Sequence, residues 1–138
     1  MRARILFRML AVVFGALIAC SAMAIDRSAV EKLASGDGED KLAAISALVS
    51  EGHAQALVVL SALIDGELQT AGKQVLIVKG TDAVDAISGE KLAALPAERE
   101  DVTVNNRLRG AAQRGLAALK LLSPDRATRA AAVKALAG

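Results

Sequence analysis

Between residues 28 and 64, apolar residues recur every three or four positions, which is the period of an amphipathic helix. We predict a short helix that begins at Ser28, where Ser28 and Glu31 have the spacing of a capping box. A second helix is predicted at about residues 38–51, with Asp37 as its cap, and a third at about residues 54–64. Because so short a connection joins the second and third helices, the pattern predicts that they form an antiparallel pair.

The pattern changes in the middle of the chain. Residues 74–79, QVLIVK, are rich in β-branched side chains and bounded by glycines, which predicts a strand. Residues 83–87 and 91–95 are predicted as a second hairpin, although their alanines suit a helix equally well. Pro96 and the acidic segment 98–101 that follows it indicate a loop.

Helical spacing returns in the last third, where Asn105 or Asn106 is predicted to cap a helix that runs to about Leu122. Its inward face is predicted to consist of Leu108, Ala112, Leu116 and Leu119. Ser123 and Pro124 predict that a new helix begins at once, with Ser123 as the cap and Pro124 in the first helical position. This last helix is predicted to cover about residues 124–137.

Two of the predicted helices share one pattern. Residues 41–48, KLAAISAL, and residues 129–136, RAAAVKAL, align without a gap and match in a basic residue, alanines, a β-branched residue and a final leucine. Small residues at such positions let paired helices approach closely, as in HEAT-like repeats. Chance similarity between two alanine-rich segments is the alternative. The first copy has a partner helix after it and the second has none, so we expect one face of the last helix to be uncovered.

Together these patterns predict a mainly α fold of HEAT-like antiparallel helix pairs with a small β-hairpin insertion at about residues 69–95. We expect residues 25–138 to form this domain, and we expect the domain to be truncated at its C-terminal end. A core built mainly from alanine and medium-sized aliphatic residues buries little area per residue, so a neighbour is expected to add stability.

Residues 1–24 have the three parts of a secretory signal, which are a basic start, an apolar run and a small-residue cleavage motif at Ala22 and Ala24. The apolar run is shorter than the roughly 20 residues that a membrane-spanning helix needs. We therefore predict cleavage after Ala24 and a periplasmic location. The alternative is that residues 17–20, LIAC, form a bacterial lipoprotein box in which Cys20 is acylated.

Removal of the signal changes the composition. The remaining 114 residues contain 14 basic and 15 acidic side chains and no aromatic residue, methionine or cysteine. The positive net charge of the whole chain therefore belongs to the signal, and no basic surface for nucleic acid is predicted from composition. Without aromatic side chains the domain also lacks the stacking platforms that usually bind single strands.

We predict no catalytic, cofactor-binding or metal-binding residue. His53 is the only histidine and follows Gly52 between two helices, where a solvated or capping role is expected. The acidic clusters lie in polar loops, where solvation rather than acid–base catalysis is expected. They consist of Asp37, Glu39 and Asp40, and of Glu98, Glu100 and Asp101.

The order of several segments resembles the exported N-terminal region of the permease subunit of bacterial urea ABC transporters, which belongs to the branched-chain amino acid type of permeases. The most distinctive segments are VNNRLR at 104–109 and SPD at 123–125. The others are ASGD at 34–37, KLAA at 41–44, LIDGEL at 63–68, VLIV at 75–78 and DAISGE at 85–90.

The resemblance implies an extracytoplasmic N-terminal module that docks in a urea transporter. The implied partners are the membrane part of the permease, the other transporter subunits and the periplasmic substrate-binding protein. Members of the family continue into several membrane-spanning helices, which would attach the module to the inner membrane and which residues 25–138 do not contain. The alternative function is a free periplasmic HEAT-like adaptor that binds a partner protein, with Cys20 as a lipid anchor.

Overall fold

The computed structural model describes residues 24–137, of which 56% are helical. A mainly helical fold with a small antiparallel sheet is therefore confirmed. The helices are α1 (Arg27–Ser35), α2 (Gly38–Glu51), α3 (Ala54–Asp65), α4 (Asn106–Leu122) and α5 (Arg126–Ala137). The strands are β1 (Leu68–Ala71), β2 (Gln74–Lys79), β3 (Asp82–Asp85) and β4 (Glu100–Asp101).

The predicted signal lies almost wholly outside the described residues. Ala24 of the cleavage motif is the first described residue, whereas Ala22 and the alternative lipidation residue Cys20 precede it. Within residues 24–137, no helix combines the length and the apolar character that crossing a bilayer requires.

The start of α1 differs from the predicted capping box. Asp26 is the N-cap, and its carboxylate accepts a hydrogen bond from the backbone N–H of Ser28 at 2.9 Å. Ser28 therefore lies inside the first turn. The reason is the buried Ile25, which precedes the cap while Val30 occupies the fourth helical position, the arrangement of a hydrophobic staple. Burial of Ile25 sets where the helix begins, and Asp26 is then the residue in position to cap it.

The caps of α2 and α3 agree with the sequence-based predictions. The Asp37 side chain accepts a hydrogen bond from the backbone N–H of Asp40 at 2.9 Å, and α2 ends at Gly52, which adopts the left-handed conformation at φ 65°. His53 caps α3, where its Nδ1 accepts a hydrogen bond from the backbone N–H of Gln55 at 3.1 Å. The capping role expected of His53 is thus confirmed.

The sheet has the strand order β3-β2-β1-β4, with all neighbours antiparallel. The predicted strand at residues 74–79 is β2, which lies at the centre with Val75, Leu76 and Ile77 buried. The loop predicted for the acidic segment is wrong at its last two residues, which form β4. This strand pairs with β1 through Thr70 opposite Glu100 and Gln69 opposite Asp101. This pairing joins residues that are distant in sequence, so no local pattern predicts it.

The second predicted hairpin is reduced to a single bridge, which joins Val84 and Lys91. The Asp85 carboxylate accepts hydrogen bonds from the backbone N–H groups of Ile87 at 2.9 Å and Ser88 at 2.8 Å. This side chain organises a tight turn directly after β3, and residues 91–95 do not continue as a strand.

Helix packing differs from the predicted pairing. Helix α2 packs on α1 and α4, α3 packs on α4, and α5 packs on α4, whereas α2 and α3 contact each other only sparsely. The predicted α2–α3 antiparallel pair is therefore not observed. Gly115 of α4 explains the difference, because a Cβ atom there would lie 2.7 Å from Val49 Cγ2 of α2 and 3.4 Å from Leu60 Cδ1 of α3. Helix α4 thus approaches both helices closely and takes the contacts that they would otherwise share.

We expect Gly115→Ala to lower the free energy of unfolding by about 1 kcal/mol, because overpacking costs about 1–3 kcal/mol and the helix propensity of alanine returns about 1 kcal/mol. Gly110→Ala is the matched control on the same helix. A Cβ there would meet only the flexible Arg114 Nη1 at 3.4 Å, so a gain of up to about 1 kcal/mol is expected. Urea denaturation checks both values, and a stabilised Gly115→Ala would contradict the close approach of α4.

The core consists of leucine, valine, isoleucine and alanine, as the composition predicts. Its largest fully buried side chains are Val30, Leu33, Leu48, Val59, Leu60, Leu63, Leu68, Leu76 and Ile77. Of the face predicted for α4, Leu108, Ala112 and Leu119 are buried and Leu116 is partly exposed.

The start of α5 corrects a second predicted cap. The helix begins at Arg126 rather than at Pro124, and the Asp125 carboxylate accepts hydrogen bonds from the backbone N–H of Thr128 at 2.7 Å and from its hydroxyl at 2.6 Å. Ser123 is instead the C-cap residue of α4. An aspartate with two donors within reach provides a stronger cap than the serine hydroxyl.

Candidate docking surface

Helices α4 and α5 are held together at their connection by polar contacts. The Arg129 guanidinium donates hydrogen bonds to the carbonyl oxygens of Ser123 at 2.7 Å and Pro124 at 2.8 Å. Two hydrogen bonds from Thr128 lower the pKa of Asp125 below its ordinary value. The bond from the Thr128 hydroxyl has the larger effect, and the bond from its backbone N–H has the smaller one. The cap of α5 is therefore an ionised carboxylate near neutral pH. Asp125 and Arg129 together stabilise the connection between α4 and α5.

The basic residues of the two repeat copies have similar contacts. Lys41 is buried, and its Nζ donates a hydrogen bond to the carbonyl oxygen of Thr103 at 3.1 Å, in the segment that leads into α4. Arg129, the matching residue of the second copy, binds carbonyl oxygens just after α4. Both copies thus fasten the backbone that flanks α4.

The apolar residues of the two copies differ sharply in burial. In the first copy, Ala44, Ile45 and Leu48 are 2%, 3% and 0% exposed. In the second copy, the matching Ala132, Val133 and Leu136 are 6%, 57% and 64% exposed. One pattern therefore builds the core when it lies in α2 and a partly uncovered face when it lies in α5. The expectation that the last helix has an uncovered face is confirmed for the described residues.

The uncovered face adjoins a groove between α3, α4 and α5, which we call the terminal groove. Its volume is about 310 Å³. The apolar lining residues are Ile64, Leu116, Ala117, Ala132, Ala135 and Leu136, and the polar ones are Gln113 and Lys120. Exposed apolar residues next to such a groove are typical of a surface that binds another molecule.

A second cavity, of about 480 Å³, lies at the sheet edge near Thr70 and Glu100. Its Arg99 side chain donates one hydrogen bond to Gln69 Oε1 at 2.9 Å and another to the carbonyl oxygen of Pro96. These contacts occupy the guanidinium in holding the loop to the sheet.

Three side chains of the acidic clusters make contacts within the fold. Asp37 caps α2, Glu39 forms an exposed ion pair with Arg107 at 2.8 Å, and the Asp101 carboxylate accepts a hydrogen bond from Gln69 Nε2 at 2.8 Å. Glu98 lies in the loop and Glu100 in β4. Among residues 24–137, no three histidine, cysteine or acidic side chains come together in a way that could hold a metal ion.

The sequence predicts an inward position for Leu116 but assigns neither Leu116 nor Ile64 to a groove. The sequence predicts neither that Lys120 lines the groove nor that Leu122, the last residue of α4, is 71% exposed. Local spacing gives no signal for either residue, because which side chains of α4 lie beside α5 depends on how the two helices pack.

Comparison of the chain with models of protein families, with curated proteins and with solved structures found no match.

Proposed function

We propose that this chain is the extracytoplasmic N-terminal module of a urea-type ABC permease and that its role is docking. The module itself has no catalytic role and no cofactor in this proposal. Its partners are the membrane part of the permease, the other transporter subunits and the periplasmic substrate-binding protein. The resemblance of VNNRLR at 104–109 and SPD at 123–125 to that family supports the transporter assignment.

The observation that carries the docking role is the burial difference between the repeat copies. Val133 and Leu136 are exposed at positions where Ile45 and Leu48 are buried. Because burying a leucine side chain contributes about 1.5–3 kcal/mol, leaving such residues in water is unfavourable unless a partner covers them. A surface of this kind supports binding rather than chemistry.

We also propose that the helices follow a HEAT-like plan, in which residues 41–48 and 129–136 are equivalent inner helices. The matching contacts of Lys41 and Arg129 with backbone carbonyls at either end of α4 support this equivalence. In such repeats each unit is covered by its neighbours, so the second copy requires a cover that α1 provides for the first.

Deletion of the gene is expected to abolish uptake of labelled urea at low external concentration in the bacterium that carries it. The wild-type gene and a Val58→Asp variant should restore uptake, whereas Leu136→Asp should reduce it by at least about tenfold, since a buried charge at the interface is strongly unfavourable. Val58 is the matched control because it is also exposed, at 46%, and does not line the terminal groove. Equal uptake by both variants would contradict docking through this surface.

Contact with the transporter has its own test. A photo-crosslinking amino acid at position 133 should capture the membrane subunit or the substrate-binding protein of the urea transporter, and the same amino acid at position 58 should not. Normal urea uptake in the deletion strain, together with no crosslink to either subunit, would refute the transporter assignment.

A free periplasmic adaptor anchored through an acylated Cys20 is the second candidate. The segment LIAC at 17–20 favours it. Mass spectrometry of the mature N-terminus separates the two, since a lipid-modified Cys20 supports the adaptor and a terminus at Ile25 supports cleavage after Ala24. Release of the protein from cells with the soluble periplasmic fraction would argue against a lipid anchor.

A further inference from the structure

We infer that the terminal groove binds an amphipathic helix of a partner protein, with an apolar stripe facing the groove and acidic residues beside that stripe. This inference rests on the docking role proposed above and specifies the chemistry of the partner. It follows from the first repeat copy, from the charge distribution and from the shape of the groove.

Two helices cover the first copy. Helix α4 lies against Ile45, whose Cγ2 would be 3.3 Å from a Cβ atom at Gly115. Helix α1 packs along α2 and on the sheet, with Ala29, Val30, Leu33 and Ala34 buried. Its buried residues therefore follow an i, i+1, i+4, i+5 spacing, which forms one stripe on a helix. At the second copy no described helix takes this place, so an equivalent stripe is the shape that Ala132, Val133 and Leu136 match.

The charge of the partner follows from the uneven distribution of charge along the chain. Residues 25–101 carry 7 basic and 14 acidic side chains, whereas residues 102–138 carry 7 basic side chains and a single acidic one, Asp125. Lys120 lines the terminal groove itself. Within residues 24–137, Lys120, Arg126 and Lys134 take part in none of the ion pairs. An acidic partner would complement this surface and associate with it faster.

A second copy of the chain matches the groove poorly. Packing α5 against α5 of another copy would bring the basic Arg126 and Lys134 of one copy towards those of the other, and like charges repel. Packing the basic end on the acidic half would require an exposed apolar patch there. Among the described residues before position 102, Val58 is the only large apolar side chain that is exposed.

A membrane surface also matches less well than a helix. The apolar lining is concave and is shared by three helices, with Ile64 from α3, Leu116 from α4 and Leu136 from α5. A concave apolar groove receives the protruding stripe of a helix, as in other helix-in-groove complexes. Interfacial binding to lipid instead uses a convex apolar face of a single amphipathic helix.

The test uses two synthetic peptides of about 20 residues, because shorter isolated helices are marginal in water. Both repeat the α1 stripe of alanine, valine and leucine, and they differ only in having glutamate or lysine at the flanking positions. Fluorescence anisotropy with the purified chain should show at least about tenfold tighter binding of the glutamate peptide. Equal affinity for the two peptides would overturn the inference.

Variants locate the binding. Leu136→Ser should weaken binding of the glutamate peptide at least about tenfold, and Val58→Ser should leave it unchanged. Lys120→Glu should weaken the glutamate peptide and strengthen the lysine peptide, a reversal that loss of folding cannot produce. Amide chemical shifts should change at Ile64, Leu116 and Ala132, and changes confined to the acidic half would overturn the inference.

Other occupants give different results. Binding to vesicles that contain anionic lipid, lost in Leu136→Ser while the glutamate peptide fails to bind, would replace the partner helix with a membrane surface. Self-association in analytical ultracentrifugation that Leu136→Ser abolishes would replace it with a second copy. If the glutamate peptide binds but urea uptake does not depend on the gene, the groove assignment stands and the transporter assignment falls. If uptake depends on Leu136 but the peptides do not bind, the transporter assignment stands and the groove assignment falls.

Discussion

Leu48→Ala is expected to lower the free energy of unfolding by about 2–5 kcal/mol, whereas Leu136→Ala, at the matching position of the second repeat copy, should change it by less than about 1 kcal/mol. The two residues have the same type and the same place in the repeated pattern. Leu48 is fully buried and Leu136 is 64% exposed, so only the first substitution removes packed atoms and leaves a cavity.

Urea or thermal denaturation of the two variants measures this difference directly. Because domains of this size are stable by about 5–15 kcal/mol, Leu48→Ala should leave a visibly weakened but folded protein. Circular dichroism before denaturation confirms that both variants are folded. Similar losses for the two substitutions would mean that Leu136 is covered in the isolated chain, and the docking role would lose its main support.

Gly36→Ala is expected to lower the free energy of unfolding by about 2–3 kcal/mol, the second largest loss of stability among the substitutions considered. Gly36 lies in the turn between α1 and α2, where its backbone N–H donates a hydrogen bond to the carbonyl oxygen of Lys32 at 2.8 Å. A Cβ atom at this position would lie 2.5 Å from that carbonyl oxygen and 2.6 Å from Asp40 Cβ. Neither atom is at the end of a flexible side chain, so α1 and α2 would have to move apart.

Gly38→Ala provides a control only two residues away. Gly38 is the first residue of α2, and a Cβ there would meet nothing within 4 Å. Since alanine reduces the conformational entropy of the unfolded chain, a gain of about 0.4–1 kcal/mol is expected. Chemical denaturation of both variants tests the pair. Equal effects of the two substitutions would contradict the close contact between the end of α1 and the start of α2.

The local pattern determined most of the secondary structure. The helical spacing of apolar residues, with Asp37 as one cap and Asn105 or Asn106 as another, predicted α2, α3 and α4 to within a residue or two. Asn105 is the observed cap of α4. The β-branched run at residues 74–79 likewise predicted β2. These features depend on residues a few positions apart, so the sequence contains the information directly.

The misplaced caps have a different cause. Ser28 and Ser123 are the predicted caps, and in both cases an aspartate two residues away caps the helix instead. At α1 the choice depends on burial of Ile25, which is a tertiary contact. At α5 Arg129 ties the connection to the end of α4, so Pro124 remains outside the helix.

By itself, the sequence determined the five helices and the strand β2, and that two of the helices share a pattern. Only the tertiary structure decided that α2 packs on α1 and α4 rather than on α3, because the approach allowed by Gly115 brings together residues that are distant along the chain. It also decided that β4 joins the sheet and that Leu48 is buried while Leu136 is exposed. A periodic pattern indicates that a face is apolar, but which element covers that face depends on contacts that no local window of sequence contains.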